Sequence, residues 1–164
     1  MDELWDKYVR VSRGWRLDPI ARVHPRIYLG DANRVDVLTF HTFNITHSIN
    51  CAQLDSSSRW FETTAPKNYI CIEAEDSETF DITSVYPIFE YFMNKFLADP
   101  NCKNIYVHCQ AGINRSAFLL LMYMCIKFHF NIEDVAKNIM LQRPCCFRNI
   151  TFRKQVVDYI KNLE

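Results

Sequence analysis

The chain has 164 residues, of which 49% are hydrophobic, 14% aromatic and 23% charged. That profile fits one globular domain with a substantial core and excludes a disordered or fibrous chain. Nineteen basic side chains balance nineteen acidic ones, so no overall field draws the protein to nucleic acid or to an anionic membrane. Seven cysteines form no C-x-x-C pair, which argues against a zinc knuckle or a thioredoxin-type motif. It favours a reducing, cytoplasmic setting in which most cysteines are small buried hydrophobes.

In chain order, residues 2–11 predict a short amphipathic helix with Leu4, Trp5, Tyr8 and Val9 on one face. The stretch carries no apolar run of the signal-peptide kind. Arg13-Gly14 ends it, and an extended segment through Asp18-Pro19 and His24-Pro25 follows. Arg26–Leu29 predicts a strand closed by Gly30-Asp31, 33–43 a helix, and 45–52, rich in β-branched residues, a buried strand. A polar loop is expected at 55–58, a strand at 69–73, an acidic loop at 75–79 and a helix at 83–98. Asn104–His108 is the next apolar strand, and 116–128 the most hydrophobic helix. The apolar run inside it, Ala117–Ile126, is only about half the length of a membrane crossing. Helices at 132–141 and 149–163 complete the chain. Strands alternating with helices imply an α/β fold: a central, mostly parallel sheet of four to five strands with helices on both faces.

One segment carries chemistry: His108-Cys109-Gln110-Ala111-Gly112-Ile113-Asn114-Arg115-Ser116. A buried strand runs into a loop and the loop into an apolar helix. Cys109 therefore sits at the sheet edge where open α/β folds bind ligands, facing the start of a helix. Inward N–H groups and the positive helix end make an anion cradle. Gly112 permits the tight path, and Arg115 offers a planar fork for phosphate. The same field favours a thiolate, so an oxyanion loop of this kind also creates a nucleophile. Ser116 is placed to donate a hydrogen bond to the departing sulfur, and His108 to orient the loop.

This loop resembles the C-x5-R loop of the cysteine-dependent protein phosphatases, and the chain from about residue 24 onward resembles the small dual-specificity members. Arg26–Gly30, Ile45–Asn50 and Glu75-Asp76-Ser77 support the likeness. The resemblance implies a protein-tyrosine-phosphatase-like fold, with an N-terminal helix and arm at 1–23 and a catalytic domain at 24–164. It implies that Cys109 attacks phosphorus to form a phosphocysteine, while the N–H groups of Gln110, Ala111, Gly112, Ile113, Asn114 and Arg115, with the Arg115 guanidinium, bind the phosphate oxygens. Asp76 is the implied general acid and then base, Ser116 assists release of the thiolate, and no metal or other cofactor is required. Asp81 is better placed as a helix cap than as the acid. Asn149 matches the family's structural asparagine. Arg148 stands where the family usually has proline and puts a cation near the site.

The resemblance points to phosphorylated protein as substrate, with no membrane partner and nucleic acid disfavoured. A shallow site is expected, since so short a chain lacks the loops that deepen the pocket of larger tyrosine-specific enzymes. Two other readings stay open. Asn114-Arg115 is similar to the Asn-Arg pair of RNA 5′-phosphatases, although their loops carry Thr-His where this chain has Gln110-Ala111. A non-catalytic phosphate-binding module predicts loss of the cysteine, arginine or acid, yet all three are present. Cys145-Cys146 is either inert or redox-active or metal-binding. The Trp5/Tyr8 face either packs on the domain or pairs with a second copy, as in some viral relatives, whose compact members this chain resembles in length and in Ile113–Ser116.

Overall fold

The computed structural model describes residues 1–53 and 59–164, so the polar loop expected at 55–58 lies outside the described residues. Among the described residues five strands, Ala21–His24 (β1), Ile27–Gly30 (β2), Ile45–Asn50 (β3), Tyr69–Cys71 (β4) and Asn104–His108 (β5), form one sheet in the order β1-β2-β5-β3-β4. Only β1 and β2 pair antiparallel; the other neighbours are parallel. Alternation along β5 divides its side chains between two cores. Ile105 and Val107 enter the larger core, while Tyr106 joins Phe40, Ile45 and Phe61 on the opposite face.

Seven α-helices within the same residues cover these faces: Asp2–Asp6 (α1), Val37–Phe43 (α2), Arg59–Thr64 (α3), Tyr86–Ala98 (α4), Arg115–Lys127 (α5), Ile132–Gln142 (α6) and Ile150–Asn162 (α7). Phe40 of α2 and Phe61 of α3 cover the smaller core, and α4 to α7 the larger. Helix α5 is buried from Arg115 to Cys125, so it is the central helix of the domain. Among the described residues no helix is long and apolar enough to cross a membrane.

Three sequence expectations need correction. The extended run before residue 25 is strand β1, joined to β2 by Pro25-Arg26, since His24 pairs with Ile27. That loop lacks the Asn or Gly that normally announces a two-residue hairpin. The helix expected at 33–43 is a 3-10 turn at Ala32–Arg34 followed by α2, because Asp36 caps a fresh start by accepting from the Thr39 N–H at 2.8 Å. The helix expected at 2–11 is α1 followed by a 3-10 turn at Val9–Val11.

The Trp5 face packs on the domain, the first of its two readings. Trp5 is 2% exposed, with its ring 5.9 Å from that of Phe118 and 5.3 Å from that of Phe147, while Leu4 and Tyr8 pack partly buried against the same core. Arg153 lies 5.7 Å over the indole and binds Asp6 at 3.0 Å. The apolar side of α1 therefore closes the domain's own core.

Candidate active site

Strands β2, β5 and β3 run in one direction, so their C-terminal ends meet at one edge, and the 109–114 loop springs from the middle strand. The path of this loop is fixed by its carbonyls. The Cys51 N–H donates to His108 O at 2.7 Å and the Ala32 N–H to Gln110 O at 2.9 Å. Arg143 gives Nη2 to Ala111 O at 2.7 Å and Nε to Gly112 O at 3.0 Å. The Phe147 N–H donates to Ile113 O at 2.8 Å, and His108 Nδ1 lies 2.9 Å from Cys109 O. Across a trans peptide the next N–H points opposite to the carbonyl. Pinning the carbonyls outward therefore turns the N–H groups of residues 110–114 to the other side, where they form an anion-accepting nest. Gly112 (φ +65°) is required twice over: its backbone is left-handed, and a Cβ there would collide with the carbonyl of Gly30.

Side chains complete the cradle. Cys109 is 2% exposed, and Ser116 Oγ donates to its sulfur at 3.2 Å. Arg115 opens α5 with its guanidinium buried; Nη1 donates to Ala74 O at 3.1 Å and to Gln53 Oε1 at 3.2 Å. Its Nε has no hydrogen-bond partner among the described residues. A buried donor left over in this way asks for an external acceptor. Burial pushes the His108 imidazole down to about 4, against a smaller upward pull from its bond to Cys109 O. The ring is therefore neutral at pH 7, and its Nδ1–H is the donor that holds the Cys109 carbonyl.

Asp76 lies across the mouth of the cradle. Asn114 Nδ2 donates to its Oδ2 and Asn149 Nδ2 to its Oδ1, both at 2.9 Å. Asn149 also caps α7, its Oδ1 accepting from the Phe152 N–H at 3.1 Å. Asp81 accepts from the Thr83 N–H at 3.0 Å, the capping expected of it. A shallow hollow of about 320 Å³ opens here, lined among others by Asp76, Asn114 and Asn149. A larger cavity of about 600 Å³ between α1 and α7 touches none of the loop residues.

Sequence reasoning missed Arg143, the side chain that does most to shape the loop. It is fully buried and also donates to Trp15 O (3.0 Å), Asp18 O (2.8 Å) and Pro19 O (3.1 Å). Its Nη2 stands 3.5 Å from buried Asp31, which Arg34 approaches equally closely. Gln53, the partner of Arg115, was missed as well. Arg148 lines the same hollow as Asp76, Asn114 and Asn149, while its guanidinium is tied to α1: Nη1 donates to Trp5 O at 2.8 Å, Nη2 to Pro144 O, and the group pairs with Asp6 at 3.6 Å. Cys145 and Cys146 are both buried behind the loop, with Cys146 Sγ 3.5 Å from Gly112 O. Among the described residues no cluster of three metal-ligating side chains occurs.

Residues 27–162 match the family described as dual specificity phosphatase, catalytic domain. Dual specificity protein phosphatase 26 of Rattus norvegicus is 32% identical over 123 residues, which is 71% of this chain and 56% of that protein's length. Dual specificity protein phosphatase 13B of Mus musculus is 29% identical over 154 residues, 90% of this chain and 77% of its own. Human DUSP28 superposes with a TM-score of 0.74 at 18% identity, covering 88% of this chain and 95% of the other. The human tyrosine phosphatase-like serine/threonine/tyrosine-interacting protein gives 0.72 at 19% identity, covering 88% and 97%. Those two likenesses show a shared fold. With the family match spanning most of its length, the chain belongs to the dual specificity phosphatase catalytic-domain family.

Proposed function

We propose that the protein is a cysteine-dependent protein phosphatase that hydrolyses phosphotyrosine and phosphoserine/threonine. The observation that carries this reading is the pinned loop: the carbonyls of residues 109–113 are each held by a donor behind the loop, with buried Arg115 presenting an unpaired Nε beside it. Donors fixed at folding need no rearrangement when charge builds on the phosphoryl oxygens. Cys109 Sγ attacks phosphorus and the P–O bond to the leaving group breaks, with the Asp76 carboxyl supplying the leaving oxygen's proton. Asp76, now a carboxylate, takes a proton from the water that attacks phosphocysteine. The P–S bond then breaks, and the Ser116 hydroxyl stabilises the released thiolate.

Every group in this scheme comes from one chain, so the reading requires no second copy. Exposed Glu75 and Glu78 flank Asp76, a poor setting for a polyanionic RNA end. The test is phosphate release, with chelator present, from a phosphotyrosine peptide, a phosphothreonine peptide and 5′-triphosphate RNA, using wild type and Cys109→Ser. Release from both peptides, abolished in Cys109→Ser, is the expected result. Release mainly from RNA moves the substrate class while keeping the chemistry. Silence on all three from a folded protein overturns the enzyme reading in favour of a phosphate-binding module.

A further inference from the structure

Asn114 closes the phosphate loop, and its amide has only one orientation open to it. Its Oδ1 receives the backbone N–H groups of Arg148 and Asn149, both at 2.8 Å. A backbone N–H can only donate, so the amide oxygen must lie on that side and the NH2 must face the other way. There Nδ2 donates to Asp76 Oδ2 at 2.9 Å. Asn149 is oriented by the same logic: its Oδ1 takes the Phe152 N–H, which leaves its NH2 for Asp76 Oδ1 at 2.9 Å and Ser77 O at 3.0 Å. Each carboxylate oxygen of Asp76 is thus held by one asparagine amide. Each also keeps a further lone-pair position, where the acidic proton can reside.

The two asparagines are not equivalent. Residues 72–78 belong to no helix or strand, and Asp76 is exposed. Ser77 Oγ, which accepts from the Phe80 N–H, and Gln155, which donates to Phe80 O, tether the far half of that loop. Asn149 ties Asp76 to the start of α7. Asn114 alone of these side chains belongs to the phosphate loop itself, so its bond measures the carboxyl's position against the phosphoryl group. Resting on the reading of Asp76 as general acid, we propose that Asn114 is a positioning residue that sets the distance from the Asp76 carboxyl to the leaving-group oxygen. A serine or alanine at 114 is too short to make this bond while also meeting the 148–149 backbone.

The test is kcat/KM across aryl phosphates of graded leaving-group basicity, for wild type, Asn114→Ser, Asp76→Asn and the double variant. Asn114→Ser is expected to cost about 10–100-fold on the most basic leaving groups and progressively less as the leaving group becomes acidic. That steeper dependence should approach the one shown by Asp76→Asn. In the Asp76→Asn background, Asn114→Ser should add nothing that depends on the leaving group. An equal loss on every substrate, or an undiminished leaving-group effect in the Asp76→Asn background, overturns the proposal and makes Asn114 a loop fastener. A flat slope for Asp76→Asn instead removes Asp76 as the acid, and inactivity of wild type on every substrate removes the phosphatase reading itself.

Discussion

Replacing Arg143 with methionine is the most demanding test of how the loop is built. The substitution keeps an unbranched side chain and removes donors to five carbonyls, those of Trp15, Asp18, Pro19, Ala111 and Gly112. It also strips one of the two arginines standing 3.5 Å from Asp31, whose carboxylate oxygens have no hydrogen-bond partner among the described residues. Removing one partner of a buried ion pair costs about 3–5 kcal/mol, and the persistence of Arg34 argues for the lower end. Buried carbonyls left unpaired cost about 1–3 kcal/mol each, but Trp15 and Ala111 are only half-buried, and water can reach them. With the buried Asp18 and Gly112 carbonyls counted at the low end, and nothing for exposed Pro19, the total is about 5 kcal/mol, which lowers Tm by about 10–20 °C in a domain of this size. Thermal denaturation with and without inorganic phosphate reads both consequences. The variant should unfold earlier, and phosphate should raise its Tm less, because the unpinned N–H groups no longer converge. In an Asp31→Asn background the cost should shrink by at least about 1.5 kcal/mol, since the orphaned charge is gone. A Tm within about 2 °C of wild type, or a cost that stays the same once the charge at position 31 has been removed, refutes the reasoning.

Three further outcomes are expected. Trp5→Ala should destabilise the fold by about 3–5 kcal/mol in denaturant titrations, because its indole fills the space between Phe118 and Phe147; a loss under about 1 kcal/mol would mean that α1 is dispensable to the core. Burial holds folded His108 at about 4, whereas an unfolded histidine titrates near ~6.5, so the unfolded chain protonates first as pH falls. The associated stability is complete above about pH 6.5 and declines by about 3 kcal/mol on the way down to pH 4; His108→Asn should flatten that slope, and an unaltered slope would assign it to other groups. Ser116→Ala should slow turnover about tenfold while phosphocysteine accumulates, a burst visible in rapid quench, because the hydroxyl's 3.2 Å bond to Cys109 Sγ counts most when the thiolate departs. A slower first step with no burst would contradict that role.

What the sequence made legible was local. The strand-loop-helix around Cys109 is contiguous, and its residue types at fixed offsets already specify a cradle. The alternation of apolar runs likewise announces a covered sheet. Arg143 was illegible because its meaning is entirely non-local: it lies 31 residues beyond Gly112 and 125 beyond Asp18. An arginine before a proline reads as surface until the carbonyls around it are known. Gln53 hides for the same reason, pairing with Arg115 across 62 residues. Trp5 left two readings open because a periodic apolar face looks the same whether it meets its own domain or another. The hairpin before Gly30 was missed because Pro25-Arg26 lacks the Asn or Gly that marks a two-residue hairpin loop.

The guanidinium of Arg143 also redraws the limits of the functional unit. The family match begins at residue 27, yet Trp15, Asp18 and Pro19 supply three of the carbonyls that this side chain holds together with Ala111 and Gly112. Asp18 adds a second tie from the same stretch, accepting from the Cys145 N–H at 2.9 Å. The stretch ahead of the recognisable domain is therefore a buttress for the phosphate cradle. A fragment cut at the family boundary would retain every motif residue and still lose part of the frame that gives the motif its shape.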